Sequence, residues 1–231
     1  GPINTHSFAS SMIIAKEANK YDARVIYGGE GADELFLGYG CYGNMLLNFK
    51  GGIEICSDYS KSLDNRYSKE TELELKKDLI FYFENFRKFM SEKDAYIKAS
   101  ALVDYYHQLS SVGFLANDLA FSDFGIEARS IFGRSEIIRL ALSSPIKFLI
   151  SNQHNYRIQK QCLHNLFINN FNLEPPKKSG FAGFPNETKV FLGSENKWKV
   201  WDLLNLRENI NEVSRERAWK LINLEWFIRS I

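Results

Sequence analysis

The sequence lacks the features that would assign it to several specialised classes of protein. It has no apolar run long enough to cross a bilayer, and it does not start with a basic-then-apolar signal pattern. The net charge is only +1, which gives no indication of a nucleic-acid or membrane partner. The three cysteines and four histidines show no metal-ligand spacing. We therefore expect a cytoplasmic protein with reduced thiols, no nucleic-acid partner and no membrane partner.

Apolar residues, in contrast, are abundant. Hydrophobic residues make up 45% of the 231 residues and aromatic residues 14%, which is enough for a packed core. Apolar periodicity and capping residues predict helices over about 5–21, 38–48, 69–89, 92–110, 135–143, 156–171 and 214–231. In the helix over 156–171, Arg157 and Lys160 are predicted on the polar side. Residues 25–27 form a β-prone run ended by glycine, which predicts a short buried strand.

A cluster of glycines and carboxylates follows this strand. It consists of Gly28, Gly29 and Gly31 together with Glu30, Asp33 and Glu34. Glycines allow a tight turn and a close approach to a ligand, and ligands of open α/β sheets bind past the carboxyl ends of strands. Because the loop is acidic and has no lysine, it would bind phosphate only through a cation such as Mg²⁺, which accepts one or two carboxylates. One carboxylate would then remain for proton transfer. The alternative is an acidic surface turn, since such clusters are common in turns.

Residues 29–39 resemble the G-E-G-A-D-E-[LV]-F-G-G-Y signature of the asparagine synthetase family and depart from it only at Leu37. The resemblance implies an ATP-dependent ligase that adenylates a carboxylate, releases pyrophosphate and lets ammonia or an amine attack the acyl-adenylate. It also implies an α/β fold of the adenine-nucleotide alpha-hydrolase-like (PP-loop ATPase) class. The chain would carry the last strand or strands of that domain and a mostly helical C-terminal part.

Two later segments extend the resemblance. Residues 117–145 are similar to the family's E-x-R segment and the helix after it, with Asp118, Glu127, Arg129 and Phe132 at the family spacing. We interpret Glu127 and Arg129 as interior residues that are structural or that support the site from just outside it. Residues 214–231 are similar to the closing helix of the family. Leu119 and Arg134 replace an arginine and an aspartate that the family usually has near the E-x-R segment. These replacements leave open a relative that uses another acceptor.

A third segment, residues 175–181, resembles the P-K-K-G-F loop, whose lysine neutralises phosphate charge as pyrophosphate leaves. Ser179 is an extra residue in this loop. Alignment on the Gly-Phe pair selects Lys178 as the phosphate lysine, and alignment on the proline selects Lys177. The alternative is two solvated lysines on a mobile loop.

The resemblance assigns roles residue by residue. Glu30 would accept a proton from the attacking amine, and Lys178 would stabilise the departing pyrophosphate as the second catalytic residue. Asp33 would bind Mg²⁺, so the expected cofactors are ATP and Mg²⁺. Binding of the nucleotide is assigned to Gly28, Gly29, Gly31 and Lys177.

The expected organisation is one domain over residues 1–231, the C-terminal portion of an asparagine-synthetase-like domain. The upstream S-G-G-x-D-S phosphate loop and the glutaminase domain are not found in the sequence. The implied enzyme is a glutamine-hydrolysing asparagine synthase-like ligase, incomplete as this chain alone. Expected partners are a small-molecule or peptide carboxylate, ammonia or an amine, and the N-terminal part of the enzyme or a partner subunit. Intramolecular amide formation, as in β-lactam synthetases and lasso-peptide cyclases, and a non-catalytic subunit remain alternatives.

Overall fold

The structure, a computed structural model, describes residues 7–51, 69–151, 160–174 and 198–205 and five single positions near the C-terminus. Helices dominate this part of the chain, and none of them is both long and apolar enough to span a membrane. In chain order the elements are α1 (Ser7–Asn19), β1 (Val25–Gly28), α2 (Ala32–Leu35), α3 (Gly40–Asn48), α4 (Lys69–Phe86), α5 (Glu92–Val103), a π-helical segment (Asp104–Phe114), α6 (Leu115–Ser122), β2 (Glu127–Ser130), a 3-10 turn (Ile131–Gly133), α7 (Ser135–Ser143), α8 (Ile146–Leu149), α9 (Gln161–Phe171) and α10 (Val200–Leu204).

Most of the predicted helices are confirmed within the described residues. The predicted N-cap of α5 is present, because the Ser91 hydroxyl accepts a hydrogen bond from the Asp94 amide at 3.2 Å. The helix predicted to end near residue 110 instead continues through the π-helical segment. Helix α9 begins at Gln161, and the start predicted at residue 156 lies outside the described residues. Of the predicted closing helix, Arg217, Leu221, Leu224, Glu225 and Ile228 are described, and all are helical.

The chain divides into two compact units. The first comprises Gly1–Ile26, Leu115–Ala128 and Lys177–Ile231, and the second comprises Tyr27–Phe114 and Arg129–Pro176. In the first unit α1 packs against α6, and the Ser11 hydroxyl donates to the Asn117 side-chain oxygen at 2.8 Å. Its apolar core contains Ala15, Ala120, Phe121 and Ile126.

Elsewhere in the first unit, a buried carboxylate holds the start of α10. The Glu225 side chain accepts a hydrogen bond from the Val200 amide at 2.8 Å and is fully buried. A first-turn amide has no partner within its own helix, so this bond satisfies one of the orphaned donors. Trp198 and Trp201 stack beside it with ring centroids 5.9 Å apart.

The second unit is built around α5, which packs against α2, α3, α4 and the π-helical segment. Every residue of α5 from Ala95 to Val103 is buried, so this helix is the centre of the unit. The short helix α2 also contacts α7 and the π-helical segment. The turn between β1 and α2 is therefore supported by the main core of the unit.

The two strands form a parallel two-stranded sheet. The predicted strand at residues 25–27 is confirmed and extends to Gly28. The prediction that it is buried is wrong, because the Val25 side chain is 36% exposed and that of Tyr27 is 63% exposed. Alternate side chains of a strand point to opposite faces, and no described element covers the face that carries these two residues.

The prediction that Glu127 and Arg129 of the E-x-R segment are interior is also wrong. Glu127 and Arg129 lie on β2, and both are exposed rather than interior. The two positions are two residues apart and therefore share one face of the strand. The register of the sheet is marked by the Glu127 amide, which donates to the Arg24 carbonyl at 2.9 Å.

Candidate active site

The turn after β1 places a carboxylate directly over a glycine. A Cβ atom built on Gly28 would collide with the Glu30 carboxylate, so the Glu30 side chain folds back across the Gly28 backbone. A Cβ on Gly29 would meet no atom within 4 Å, which means that the space beside this residue is open. The loop thus combines a half-buried carboxylate with an open backbone surface next to it.

Gly31 fixes the entry into α2. It has a φ of 93°, in the left-handed region that favours glycine, and it is buried. A Cβ atom at this position would come within 3.1–3.2 Å of the Tyr105, Leu109 and Phe132 side chains. Any larger residue would therefore displace residues 28–34, which we call the acidic turn, from the π-helical segment that supports them.

Asp33 holds the second carboxylate of the site. Its Oδ1 lies 2.8 Å from the Lys160 Nζ, and the two side chains are 26% and 24% exposed, respectively. Gly38 lies beneath Asp33, since a Cβ on Gly38 would collide with the carboxylate. The Gly38 amide also donates to the Asp33 carbonyl at 2.6 Å. Asp33 is consequently held at its backbone, and its Oδ1, the oxygen that faces Lys160, is buried, although about a quarter of each side chain is exposed.

Glu34, the third carboxylate of the loop, points into the core. It is 4% exposed, and one of its oxygens accepts a hydrogen bond from the Tyr39 hydroxyl at 2.9 Å. Burial raises the pKa of the Glu34 carboxyl, and the nearby charge of Asp33 adds to this effect. The hydroxyl group of Tyr42 donates to a further acidic residue, Asp104, at 2.7 Å. Glu34 is therefore a buried structural acid rather than a group available to a ligand.

The donor set fits a magnesium ion that keeps most of its ligands outside the protein. No group of three or more histidine, cysteine, aspartate or glutamate residues in the described ranges could enclose a metal. Mg²⁺ does not need such a cage, because it binds through one or two carboxylates and takes phosphate oxygens and water for the rest. The partly exposed carboxylate of Asp33 meets this requirement, whereas that of Glu34 does not.

The structure brings five of the seven predicted site residues together in one turn: Gly28, Gly29, Glu30, Gly31 and Asp33. Lys177 and Lys178, the other two, lie outside the described residues, so their positions remain predictions.

Two residues that the sequence did not assign to the site also contact this turn. Lys160 precedes α9 with a φ of 52° and pairs with Asp33, and Ser130 at the end of β2 donates to the Glu30 carbonyl at 2.6 Å. For Lys160 the sequence offered one weak indication of a role in a site, its predicted place on the polar side of the helix over residues 156–171. Ser130 had none, because 100 residues separate it from Glu30.

Comparison with known proteins gives a match to a protein family. The family described as asparagine synthase matches residues 1–220, nearly the whole chain. No curated protein and no solved structure matches the chain. The matched region includes the acidic turn, both strands and the segment that carries Lys177 and Lys178.

Proposed function

The chain belongs to the asparagine synthase family, and on this premise we propose that it is part of an ATP-dependent ligase that joins a carboxylate to ammonia or another amine. The reaction would adenylate the carboxylate, release pyrophosphate and form an amide. The observation that carries this proposal is the acidic turn. It presents two carboxylates three positions apart, one folded over open backbone and one paired with an accessible lysine.

The two carboxylates suit different tasks. Asp33 would hold Mg²⁺, which would offset the charge of the phosphates when bound. Lys160 lies beside Asp33, so its ammonium group would also be close to a phosphate that is bound through a metal ion at this carboxylate. The open backbone at Gly29 would admit the nucleotide, whereas Gly28 lies under the Glu30 carboxylate and Gly31 is buried. Lys177 and Lys178 would supply further positive charge.

Glu30 would act on the amine. An ammonium nitrogen has no free electron pair, so a base must accept a proton before the amine can attack the activated carboxylate. Glu30 is half-buried beside the open surface at Gly29, where a substrate has room to approach.

A pair of variants separates the two steps. Assayed together with a polypeptide that carries the S-G-G-x-D-S loop, Asp33→Asn should reduce aspartate-dependent ATP–pyrophosphate exchange by about 10²–10³-fold, the usual effect of removing one charge-stabilising group. Glu30→Gln should preserve exchange but reduce amide formation from aspartate and ammonium by about 10²–10⁴-fold, the usual contribution of a general base. Glu17→Gln, at an exposed ion pair with Lys20, is the matched control and should leave both activities unchanged.

Other results would change the assignment. If exchange and amide formation fall together in Glu30→Gln, Glu30 belongs to nucleotide binding. Wild-type exchange in Asp33→Asn would remove the metal-binding role. If the protein uses neither aspartate nor ammonium but forms an intramolecular amide, its reaction is of the type that β-lactam synthetases and lasso-peptide cyclases catalyse.

ATP binding requires a second element in this proposal. The sequence contains no S-G-G-x-D-S pattern, so the N-terminal part of the enzyme or a partner subunit would supply that loop. The exposed Val25 and Tyr27 side chains on β1 are consistent with a covering segment. Isothermal titration of ATP against this chain, with and without a polypeptide that carries the loop, tests the requirement. Equal ATP affinity in both titrations would contradict it.

A further inference from the structure

One side-chain hydrogen bond joins the end of β2 to the acidic turn. The Ser130 hydroxyl donates to the main-chain carbonyl of Glu30 at 2.6 Å. Ser130 is the last residue of β2, and Glu30 is the second residue after β1. The bond therefore fixes the peptide group of the residue to which we assign proton transfer.

Neighbouring contacts hold the same two segments in place. The Tyr105 hydroxyl donates to the Phe132 carbonyl at 3.2 Å, in the turn directly after Ser130. The side chains of Tyr105 and Phe132 also bound the space above Gly31, directly after Glu30. Phe132 packs edge-on against Phe36 with ring centroids 5.7 Å apart. The donor and the acceptor of the Ser130 bond are thus each attached to the core of the second unit.

The orientation of the Glu30 side chain relative to α2 depends on this main-chain restraint. The carboxylate lies over Gly28, two residues back along the chain. A rotation of the peptide group after Glu30 would change ψ of Glu30 and φ of Gly31, and so turn Glu30 and its carboxylate relative to α2, which carries Asp33. Gly29 and Gly31 on either side provide little resistance, because glycine is conformationally permissive.

We propose that Ser130 is a positioning residue that sets the direction of the Glu30 carboxylate for proton transfer from the amine. The proposal rests on the function proposed above. Serine suits the task because it provides a hydroxyl donor on a short side chain at the end of a strand. Alanine removes the donor, whereas threonine keeps it and is well tolerated in strands.

The test compares Ser130→Ala with Ser130→Thr in the presence of a polypeptide that carries the S-G-G-x-D-S loop. It measures the amide formed per pyrophosphate released, with aspartate and ammonium as substrates. Ser130→Ala should lower this ratio about tenfold, since a misdirected base slows amine attack and lets water consume the activated carboxylate. Ser130→Thr should stay within about threefold of wild type. General destabilisation would reduce both products together and leave the ratio unchanged. Ser122→Ala, which removes a hydroxyl bonded to the Leu119 carbonyl at 3.3 Å, is the matched control.

A second measurement needs no substrate. The Ala32 amide donates to the Gly29 carbonyl at 3.2 Å across the acidic turn, and its hydrogen exchange reports the order of that turn. Exchange of this amide should be about tenfold faster in Ser130→Ala and near wild type in Ser130→Thr. Equal rates in wild type and Ser130→Ala would overturn the proposal.

The two proposals fail in different ways. If Glu30→Gln retains the wild-type ratio of amide to pyrophosphate, the role of Glu30 fails, and the positioning role fails with it. If Glu30→Gln lowers the ratio and Ser130→Ala does not, only the positioning role of Ser130 is overturned.

Discussion

Two lysines of the second unit hold their ammonium groups in contrasting surroundings. Lys98 on α5 is 4% exposed and donates to main-chain carbonyls at the end of α7, those of Ala141, Leu142 and Ser144. Lys160 is partly exposed and pairs with the Asp33 carboxylate. Carbonyls at a helix C-terminus are fixed acceptors that favour a cation. The partly exposed Asp33 side chain can exchange one cation for another more readily than buried carbonyls can, so we assign Lys98 to the scaffold and propose Lys160 as part of the site.

Burial distinguishes the two lysines in a second way. Removal from water lowers the pKa of Lys98 to about 8, because the charged form loses its hydration. The carbonyls of α7 supply hydrogen-bond acceptors in place of that water. Lys98 therefore holds α7 against α5 at a cost in desolvation that a surface lysine does not have.

The largest effect on stability is expected from Lys98→Met. The change keeps most of the side-chain volume but leaves the carbonyls at the end of α7 without their donor. Each unsatisfied buried polar group costs about 1–3 kcal/mol, and partial relaxation reduces the sum. We expect the free energy of unfolding at pH 7 to fall by about 2–4 kcal/mol, as measured by urea denaturation. Lys88→Met, at an exposed lysine bonded to Asn85, is the control and should change it by less than about 0.5 kcal/mol.

The pH dependence of the same variant checks the cause. Because the pKa of Lys98 is about 8 in the folded state and about 10.4 in an unfolded chain, the unfolded chain binds more protons between these values. The wild-type protein should therefore gain stability relative to Lys98→Met as the pH rises from 8 to 10. A constant difference between the two proteins over this range would show that the ammonium group is not desolvated.

An intermediate effect is expected from Leu37→Gly, which also tests the surroundings of Lys98. Leu37 and Lys98 line the same small cavity. Leu37 has a φ of 57°, which costs a leucine about 1–2 kcal/mol, but its side chain is 1% exposed in the core. Removing a buried leucine side chain costs about 3–5 kcal/mol, so the core contribution exceeds the relief of strain. Denaturation should show a loss of about 1–4 kcal/mol, and a gain in stability would contradict this interpretation.

The sequence predicted which residues form the turn after β1 because its signals are local. The glycines, the strand before them and the carboxylates lie within a few residues, and each has a conformational reason for its position. The direction of each carboxylate was not predictable. Glu34 turns into the core and Asp33 stays accessible, although they are neighbours on a single helical turn. Their exposure depends on what α5 and α7 place around α2.

The long-range contacts were not predictable either. Ser130 and Glu30 meet only because β1 and β2 are parallel, which brings their carboxyl ends to one edge. The burial of β1 was predicted wrongly because a β-prone apolar run indicates a strand but not what covers it. The same pattern fits a covered strand and one with a face exposed, as at Tyr27.

The smallest effect on stability is expected from Lys160→Met. A partly exposed ion pair contributes about 0–1 kcal/mol, because solvent already stabilises both charges and ordering the lysine costs entropy. Urea denaturation should therefore show a loss of less than about 1 kcal/mol, and raising the salt from 0.05 M to about 0.5 M should reduce it further. A loss comparable to that of Lys98→Met, unaffected by salt, would make Lys160 a scaffold residue and remove the contrast between the two lysines. A small loss would show that the fold does not depend on the Lys160–Asp33 ion pair. Lys160 could then leave Asp33 and bind an anionic substrate instead.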